Sequence, residues 1–355
     1  MCCSGIDDLW VNRVYITTAE FKGEIVDPVS QAFLGGSLSQ SSASNKSQQV
    51  SALIIGALAG MAPDLDVLIR SAADPLLFLE FHRQFTHSLI FIPFGSFICA
   101  LLFYPFFKSK LSFKQIYLFS FLGFATHGLL DACTSYGTQL YWPFSNERVA
   151  WNTVSIIDPL FTFPLVIFSL LAAFRKKVVF ARIAFLYAVL FLSLGLVQKY
   201  RAEDSLKTLA LQRGHLIERS NVKPSFANRH VWKTMYEYDG RYYIDAVKLL
   251  WAKDIISGVS VQKLNIERDL PWLDINTQQA RDIERFRWFS NDYLAMSNEG
   301  GDYIIDVRYS FLPNRIESMW GILLSDNKDN TQHVGYKMKS RPDKETVDRF
   351  LEMLF

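Results

Sequence analysis

Acidic side chains are scarce in the first half of this 355-residue chain: residues 28–199 hold 7, against 12 basic ones. Residues 200–355 hold 23 of each, an ordinary soluble composition. The formal net charge of +2 therefore describes neither half, and the balanced second half lacks the basic footprint of a nucleic-acid binder. There are only 4 cysteines, Cys2, Cys3, Cys99 and Cys133, too scattered for a disulfide framework or a CxxC zinc site. Their usage leaves the compartment undecided. The first 25 residues lack the apolar core and small-residue cleavage site of a secretory signal. No HExxH marks a zinc protease and no GxSxG marks a serine hydrolase. A His-x-x-x-Asp is present, but without the Lys/Arg-Pro or Pro-Ser-Gly-His elements of a lipid-phosphate phosphatase.

What the first half has instead is apolar length. A membrane-spanning helix takes about 20 mostly apolar residues. Residues 88–107, 115–133, 154–174 and 178–198 meet this, and 50–70 is apolar until Pro63-Asp64-Leu65-Asp66 interrupts it. Residues 29–38 are too short to span and are expected at the interface or packed on the bundle; residues 37–47 read as a Ser-rich linker. Lys108, Lys110 and Lys114 follow one run, and Arg175, Lys176 and Lys177 follow another. The positive-inside rule puts both loops in the cytoplasm, and alternation puts residues 64–87, 133–153 and everything after 198 outside. All seven acidic residues of this half fall on that outer side, with His82, His87 and His127. The inner halves of the helices read as nearly all apolar.

Residues 202–219 read as a polar helical connector. Strand-like stretches follow at 231–238, 242–249, 258–264 and 303–311, punctuated by Asp239-Gly240 and Gly300-Gly301. Residues 343–354 read as a closing amphipathic helix. The expected fold is a membrane all-α bundle of about five transmembrane helices followed by a small soluble α+β domain. Its units are an extension at 1–26, expected to be non-native or disordered; a membrane domain at 27–199; a connector at 200–220; and an extracytoplasmic domain at 221–355. Trp251, Trp272, Trp288 and Trp320 of that last domain are expected in its core or at an interface.

Ionisable side chains beside membrane helices are costly and mark function. His127 and Asp131, at i and i+4, share one helix face. Asp64 and Asp66 point to one side if their stretch is extended. His82 and His87, about 140° apart on a helix, need a loop between them. Asp158-Pro159 opens the next helix and is also a natural N-cap. Asp64, Asp66, His82, His87, His127, Asp131 and Asp158 thus make a nitrogen-and-oxygen set suited to divalent zinc, with manganese or iron as alternatives, and large enough for two ions. Arg83 and Arg148 are candidate holders of an anionic group, with loop anchoring the alternative. Thr86, Ser135, Tyr136 and Ser145 are candidate supporting donors.

The same residues carry a family resemblance. Pro63-Asp64-Leu65-Asp66, His82-Arg83-Gln84-Phe85-Thr86-His87-Ser88, His127-Gly128-Leu129-Leu130-Asp131 and Ile156-Ile157-Asp158-Pro159 occur in order. Thr134-Ser135-Tyr136-Gly137 and Trp142-Pro143-Phe144-Ser145 lie between the last two. This series resembles the YdjM-like family of membrane-bound metal-dependent hydrolases. Asp27-Pro28-Val29-Ser30-Gln31-Ala32 is similar to the family's opening, with Gln31 where some members carry His. The resemblance implies a multi-pass protein of the bacterial inner membrane, with a metal-dependent hydrolytic site.

The functional expectation is a hydrolase with its site at the outer, periplasmic face, acting on a membrane phospholipid or another envelope ester. Asp64 and His87 are the expected catalytic groups among the ligands, and Arg83 would stabilise developing negative charge. The alternatives are a metal, ion or proton transporter and a non-enzymatic envelope scaffold. Protein partners are not indicated.

Overall fold

The computed structural model describes residues 28–339 and 341–355. The extension expected at 1–26, and Asp27, lie outside the described residues.

Helices of the membrane half run alternately toward and away from one end. α1 (Pro28–Ser41) leads through a short turn to α2 (Gln49–Met61), which tightens into a 3₁₀ stretch at Ala62–Leu68. The short α3 (Leu77–Phe81) precedes α4 (Ile92–Phe107) and α5 (Phe113–Cys133). After a long loop come α6 (Pro159–Arg175) and α7 (Val178–Gln212). Among the described residues, four helical stretches are long and apolar enough to cross a membrane: Lys46–Leu68, Leu89–Phe107, Phe113–Cys133 and Val178–Gln212. The expected span at 154–174 is shorter, because residues 154–158 are loop and Asp158 caps a helix of 17 residues. A hydroxyl also starts α5: the Ser112 side chain accepts from the Gln115 backbone while Gln115 reaches back, a capping box.

Residues 37–47 are not simply a linker. α1 continues to Ser41, and Ser37, Ser39 and Gln40 are buried. With Gln49, Ser120 and Ser169 they make the inner part of the bundle polar but uncharged, where sequence led us to expect almost only apolar residues. The bundle's exterior is apolar, with Phe94, Leu102, Phe106, Phe163, Leu190 and Leu194 exposed, as a lipid solvent requires.

α1, α2 and α5 meet through glycines. A Cβ on Gly123 would lie 2.2 Å from the Gly56 carbonyl oxygen, and one on Gly35 would lie 2.7 Å from the same atom. The backbones therefore touch. Such small-residue contacts let membrane helices associate where lipid removes the hydrophobic drive.

α7 does not stop at the membrane boundary. Its 35 residues extend about 52 Å at 1.5 Å per residue. Its polar last turns bury Ala202, Leu206 and Ala210 against Val222, Trp232, Tyr236 and Val247. Those four belong to the first antiparallel sheet, β1 (Arg219–Pro224), β2 (Val231–Tyr238), β3 (Arg241–Leu249) and β4 (Lys253–Gln262), paired in sequence order. Asp239 and Gly240, both at positive φ, close the β2–β3 hairpin, as their turn chemistry predicts. α8 (Ile266–Asp269) and α9 (Gln278–Phe289) lead to a second meander, β5 (Leu294–Met296), β6 (Tyr303–Asp306), β7 (Trp320–Leu323) and β8 (Gly335–Met338). α10 (Lys344–Leu354) closes the chain, capped by Asp343. Trp320 is core, Trp272 packs at its edge, and Trp251 is fully exposed at the β3–β4 turn.

The two halves share a core. Leu76, Leu79 and Tyr136 of the membrane half pack among Phe286, Phe289, Ile304 and Trp320 of the soluble domain. The soluble domain therefore sits on the end of the bundle that carries the histidines and aspartates.

Candidate metal centre

Each cluster residue owes its position to a local feature. His127 and Asp131 occupy the last two turns of α5, one turn apart on its inward face. Asp64 and Asp66 lie on the 3₁₀ stretch that ends α2, where Pro63 supplies a fixed φ at its start. His82 terminates α3, and Arg83 then takes φ +64°. This left-handed residue turns the chain so that the next short 3₁₀ turn delivers His87.

Four atoms converge. The His87 Nε2 and His127 Nε2 atoms are 2.9 Å apart. Asp64 Oδ1 is 3.3 Å from both, and Asp131 Oδ2 is 3.2 Å from His87 Nε2 and 3.7 Å from His127 Nε2. Tetrahedral zinc with ligands at 2.0–2.1 Å requires ligand-to-ligand edges of about 3.3–3.4 Å. The five distances bracket that value.

The tautomers make the convergence unfavourable without a cation. His127 Nδ1 lies 2.5 Å from the Gly60 carbonyl oxygen, to which it donates, so its proton is on that side. His87 Nδ1 faces Thr86 Oγ1 at 2.9 Å and Asp66 Oδ2 at 3.2 Å, both acceptors, because the Thr86 hydroxyl donates to Asp66. With His87 neutral, both Nε2 atoms present lone pairs to each other and to two carboxylate oxygens. Asp64, Asp66 and Asp131 carry three negative charges against the single Arg83 guanidinium, leaving two to be balanced. Burial pushes the His87 pKa down, but Asp66, Asp131 and Asp64 outweigh it and hold the imidazole well above the usual histidine range. A proton and a metal ion are thus alternatives for one position.

Asp64 also belongs to a second group with Asp66 and His82, whose ligand atoms lie within 4.8 Å of one another. Here His82 Nε2 is buried and has no hydrogen-bond partner among the described residues, the kind of orphan a ligand would satisfy. Asp66 is more occupied. Its Oδ1 accepts from His82 Nδ1 at 2.8 Å, and its Oδ2 accepts from the Arg83 backbone N–H at 3.0 Å and the Thr86 hydroxyl at 2.8 Å. With His87 Nδ1 also against it, Asp66 orients two imidazoles at once, as carboxylates behind metal-bound histidines do.

The other expected residues fall as follows. Arg83 is buried with its Nε 3.1 Å from Asp131 Oδ2, its Nη1 donating to Thr134 Oγ1 and its guanidinium over the Tyr136 ring. Arg148 donates to the carbonyls of Leu79 and Gly137, which anchors loops. Asp158 joins neither group of ligand atoms; its Oδ1 accepts from the Leu160 and Phe161 N–H groups at the start of α6. Gln31 is at the site: its Nε2 donates to Asp131 Oδ1 at 2.7 Å. Gly60, whose carbonyl fixes His127, is marked in the sequence only by the spacing Gly56-Ala-Leu-Ala-Gly60, a signal for close helix contact and not for a site residue.

Apolar helices that enclose a histidine–carboxylate cluster at one end, beneath a soluble domain, define a multi-pass membrane protein with a candidate metal centre. Residues 26–202 match the family described as YdjM inner membrane protein, and through this half the chain belongs to that family. It is similar to the "Uncharacterized protein YfhP" of Bacillus subtilis (strain 168), at 33% identity over 109 residues. That alignment covers 30% of this chain and 33% of YfhP. It is also similar to the "Inner membrane protein YbcI" of Escherichia coli (strain K12), at 31% identity over 108 residues, 29% of this chain and 61% of YbcI. The chain thus spans a third of one relative and about three-fifths of the other. No solved structure matches it.

Proposed function

We propose that this protein is a metal-dependent hydrolase of the inner membrane, with its site and soluble domain on the periplasmic side. The observation that carries the reading is the 2.9 Å approach of two imidazole Nε2 atoms whose Nδ1 protons are already committed, among carboxylates. Asp64, His87, His127 and Asp131 would hold the ion, with Asp66 and His82 available, beside Asp64, for a second. A divalent cation supplies Lewis acidity toward a carbonyl or phosphoryl oxygen and makes water nucleophilic near neutral pH. Zinc suits this donor set best.

The residues supply the rest. Asp64 is the member open to the outside, its side chain 14% exposed where those of His87, His127 and Asp131 are 0%. With Oδ1 turned to the histidines, its Oδ2 is the base that takes a proton from an attacking water. Arg83 acts through Asp131, holding it in place, rather than on substrate. Leu65 and Leu68, beside Asp64, are strongly exposed and apolar. That rim favours a phospholipid or another envelope ester as substrate. The periplasmic placement is supported by Lys108, Lys110, Arg175, Lys176 and Lys177 at the opposite helix ends.

The test is elemental analysis of purified protein with a panel of phosphodiester, phosphomonoester and carboxylic ester substrates. About one or two divalent ions per chain are expected, lost together with hydrolysis in Asp64→Ala and His127→Ala. A folded wild type that holds no metal after purification and reloading would end the reading.

Ion or proton transport is the second reading, favoured by the buried Ser39, Gln40, Gln49, Ser120 and Ser169. These groups are uncharged, and none of them belongs to the histidine–carboxylate cluster. Metal flux into proteoliposomes without hydrolysis would favour transport.

A further inference from the structure

A cavity of about 360 Å³ lies between the membrane half and the soluble domain, on the far side of Tyr136 from the metal centre. Its walls include Tyr136 and Arg148 from the loop between α5 and α6, Lys223 from β1, Trp288 and Phe289 from α9, and Arg308 after β6. The volume is within the range of small-ligand pockets.

The charges on those walls are unequal. Arg308 is neutralised locally: its Nε and Nη2 donate to Oδ1 and Oδ2 of Asp306, a fork on both oxygens. Arg148 and Lys223 have no carboxylate within 4.0 Å among the described residues. Arg148 spends two nitrogens on carbonyls, while its buried Nε has no hydrogen-bond partner. Lys223 is 8% exposed, and the contact of its ammonium is the face of the Tyr309 ring, 3.1 Å from Nζ to centroid.

The strand partner of Lys223 gives a contrast. Lys233 stands directly opposite on β2 and is more deeply buried, yet its ammonium donates to Ser310 Oγ at 2.7 Å and to the Arg315 carbonyl at 2.9 Å. Two buried lysines face each other, and one is satisfied. Burying an unpaired ammonium is unfavourable unless something compensates it. Burial, with Lys233 nearby, pushes the Lys223 pKa well below the usual lysine value, and burial lowers that of Arg148 to about 10.

We propose that this interdomain cavity binds a phosphate-bearing anion, held by Lys223 and Arg148. The phosphate oxygens would accept from Lys223 Nζ and Arg148 Nε, and the aromatic walls would pack the attached group. Asn146, Asn221 and Asn291 also line the cavity and offer amides to hydroxyls on that group. The ligand is either a dissolved phosphate or phosphomonoester, or the headgroup of an anionic lipid.

The experiment uses the full chain in detergent. One arm measures equilibrium dialysis of radiolabelled inorganic phosphate and of glycerol 3-phosphate. The other measures retention of phosphatidic acid against phosphatidylcholine from mixed micelles. Both are run on wild type, Lys223→Met, Arg148→Met and the control Lys233→Met, with thermal unfolding to confirm folding and metal content assayed on the same samples. Saturable binding of about one equivalent is expected in at least one arm, weakened about tenfold or more in Lys223→Met, the loss of a charged hydrogen bond. Lys233→Met should bind as wild type does. The arm that saturates identifies the source. No saturable binding in either arm, or equal binding by folded wild type and Lys223→Met, overturns the proposal. Unchanged metal content in Lys223→Met separates this result from any failure at the metal centre, whose ligands are untouched.

Discussion

Arg285 of α9 donates from Nη1 and Nη2 to the two carboxylate oxygens of Asp74, at 3.0 and 2.7 Å. This fork crosses between domains, and the Nε of the same guanidinium donates to Glu80 Oε1 at 2.5 Å. Both acids lie on the stretch that leads from Asp66 to His82. The soluble domain therefore grips the segment that leads to His82, which makes it part of the site's support.

The grip should be pH-dependent. Burial raises the pKa of Asp74, and the hydrogen bonds from Arg285 and the Leu76 N–H outweigh it, so the folded value lies below the ordinary one. A depressed carboxylate pKa contributes stability above the unfolded value, about 4, and loses it as pH falls through the folded value. Wild type should therefore become more sensitive to proteolysis at the interdomain junction below about pH 4. Arg285→Met should be more sensitive already at pH 7 and change less on acidification. Parallel curves for the two proteins would remove this pair as the cause.

Asp66 and Asp131 look alike in the sequence but differ in space. Asp131 Oδ2 faces both imidazole Nε2 atoms, whereas Asp66 stands behind His82 and His87. Asp131→Ala should abolish metal retention. Asp66→Asn keeps the size but weakens the acceptors for two imidazoles and should lower zinc affinity by about 10–100-fold, the range for partners behind a ligand. Competition with a chromogenic chelator reads both; equal losses in the two variants would show that Asp66 is itself a ligand.

Arg83 is 1% exposed beside the fully buried Asp131. Removing one partner of such a pair costs about 3–5 kcal/mol, because the other charge is left uncompensated. A bound cation would replace the missing positive charge. Arg83→Met should therefore unfold at much lower temperature than wild type when chelated, and the gap should narrow when zinc is restored. A gap unaffected by zinc would mean that Arg83 and the cation do not share Asp131.

How far the sequence reaches is shown by these same residues. His127 and Asp131 are legible because helical periodicity alone puts them on one face. The hairpin from Val231 to Leu249 is legible because alternating residues flank Asp239-Gly240. Asp66 as an orienting acid is not, since its donors come from Arg83, Thr86 and two histidines gathered by a loop. β1 is missed because Arg219-Ser-Asn-Val-Lys-Pro has the composition of a surface segment, although Lys223 is buried. The Ser-rich end of α1 reads as linker because composition does not show that Ser39 donates to the Phe119 carbonyl inside the bundle.

The glycine contact beneath the site links packing to metal affinity. A Cβ on Gly123 would sit 2.2 Å from the Gly56 carbonyl oxygen, a backbone atom that cannot swing aside. Gly123→Ala must therefore push α5 from α2, and overpacking of this kind costs about 1–3 kcal/mol or more. The Gly60 carbonyl that fixes the His127 tautomer is one turn further along α2, so the same displacement lengthens its 2.5 Å contact with Nδ1. Gly123→Ala is expected to lower both the melting temperature and zinc affinity. Gly240→Ala is the control: the residue sits at φ +64° in open space, so it should cost about 1 kcal/mol and leave zinc affinity unchanged. A folded Gly123→Ala protein that binds zinc as wild type does would show that the centre tolerates displacement of α2, and that the Gly60–His127 contact does not set it.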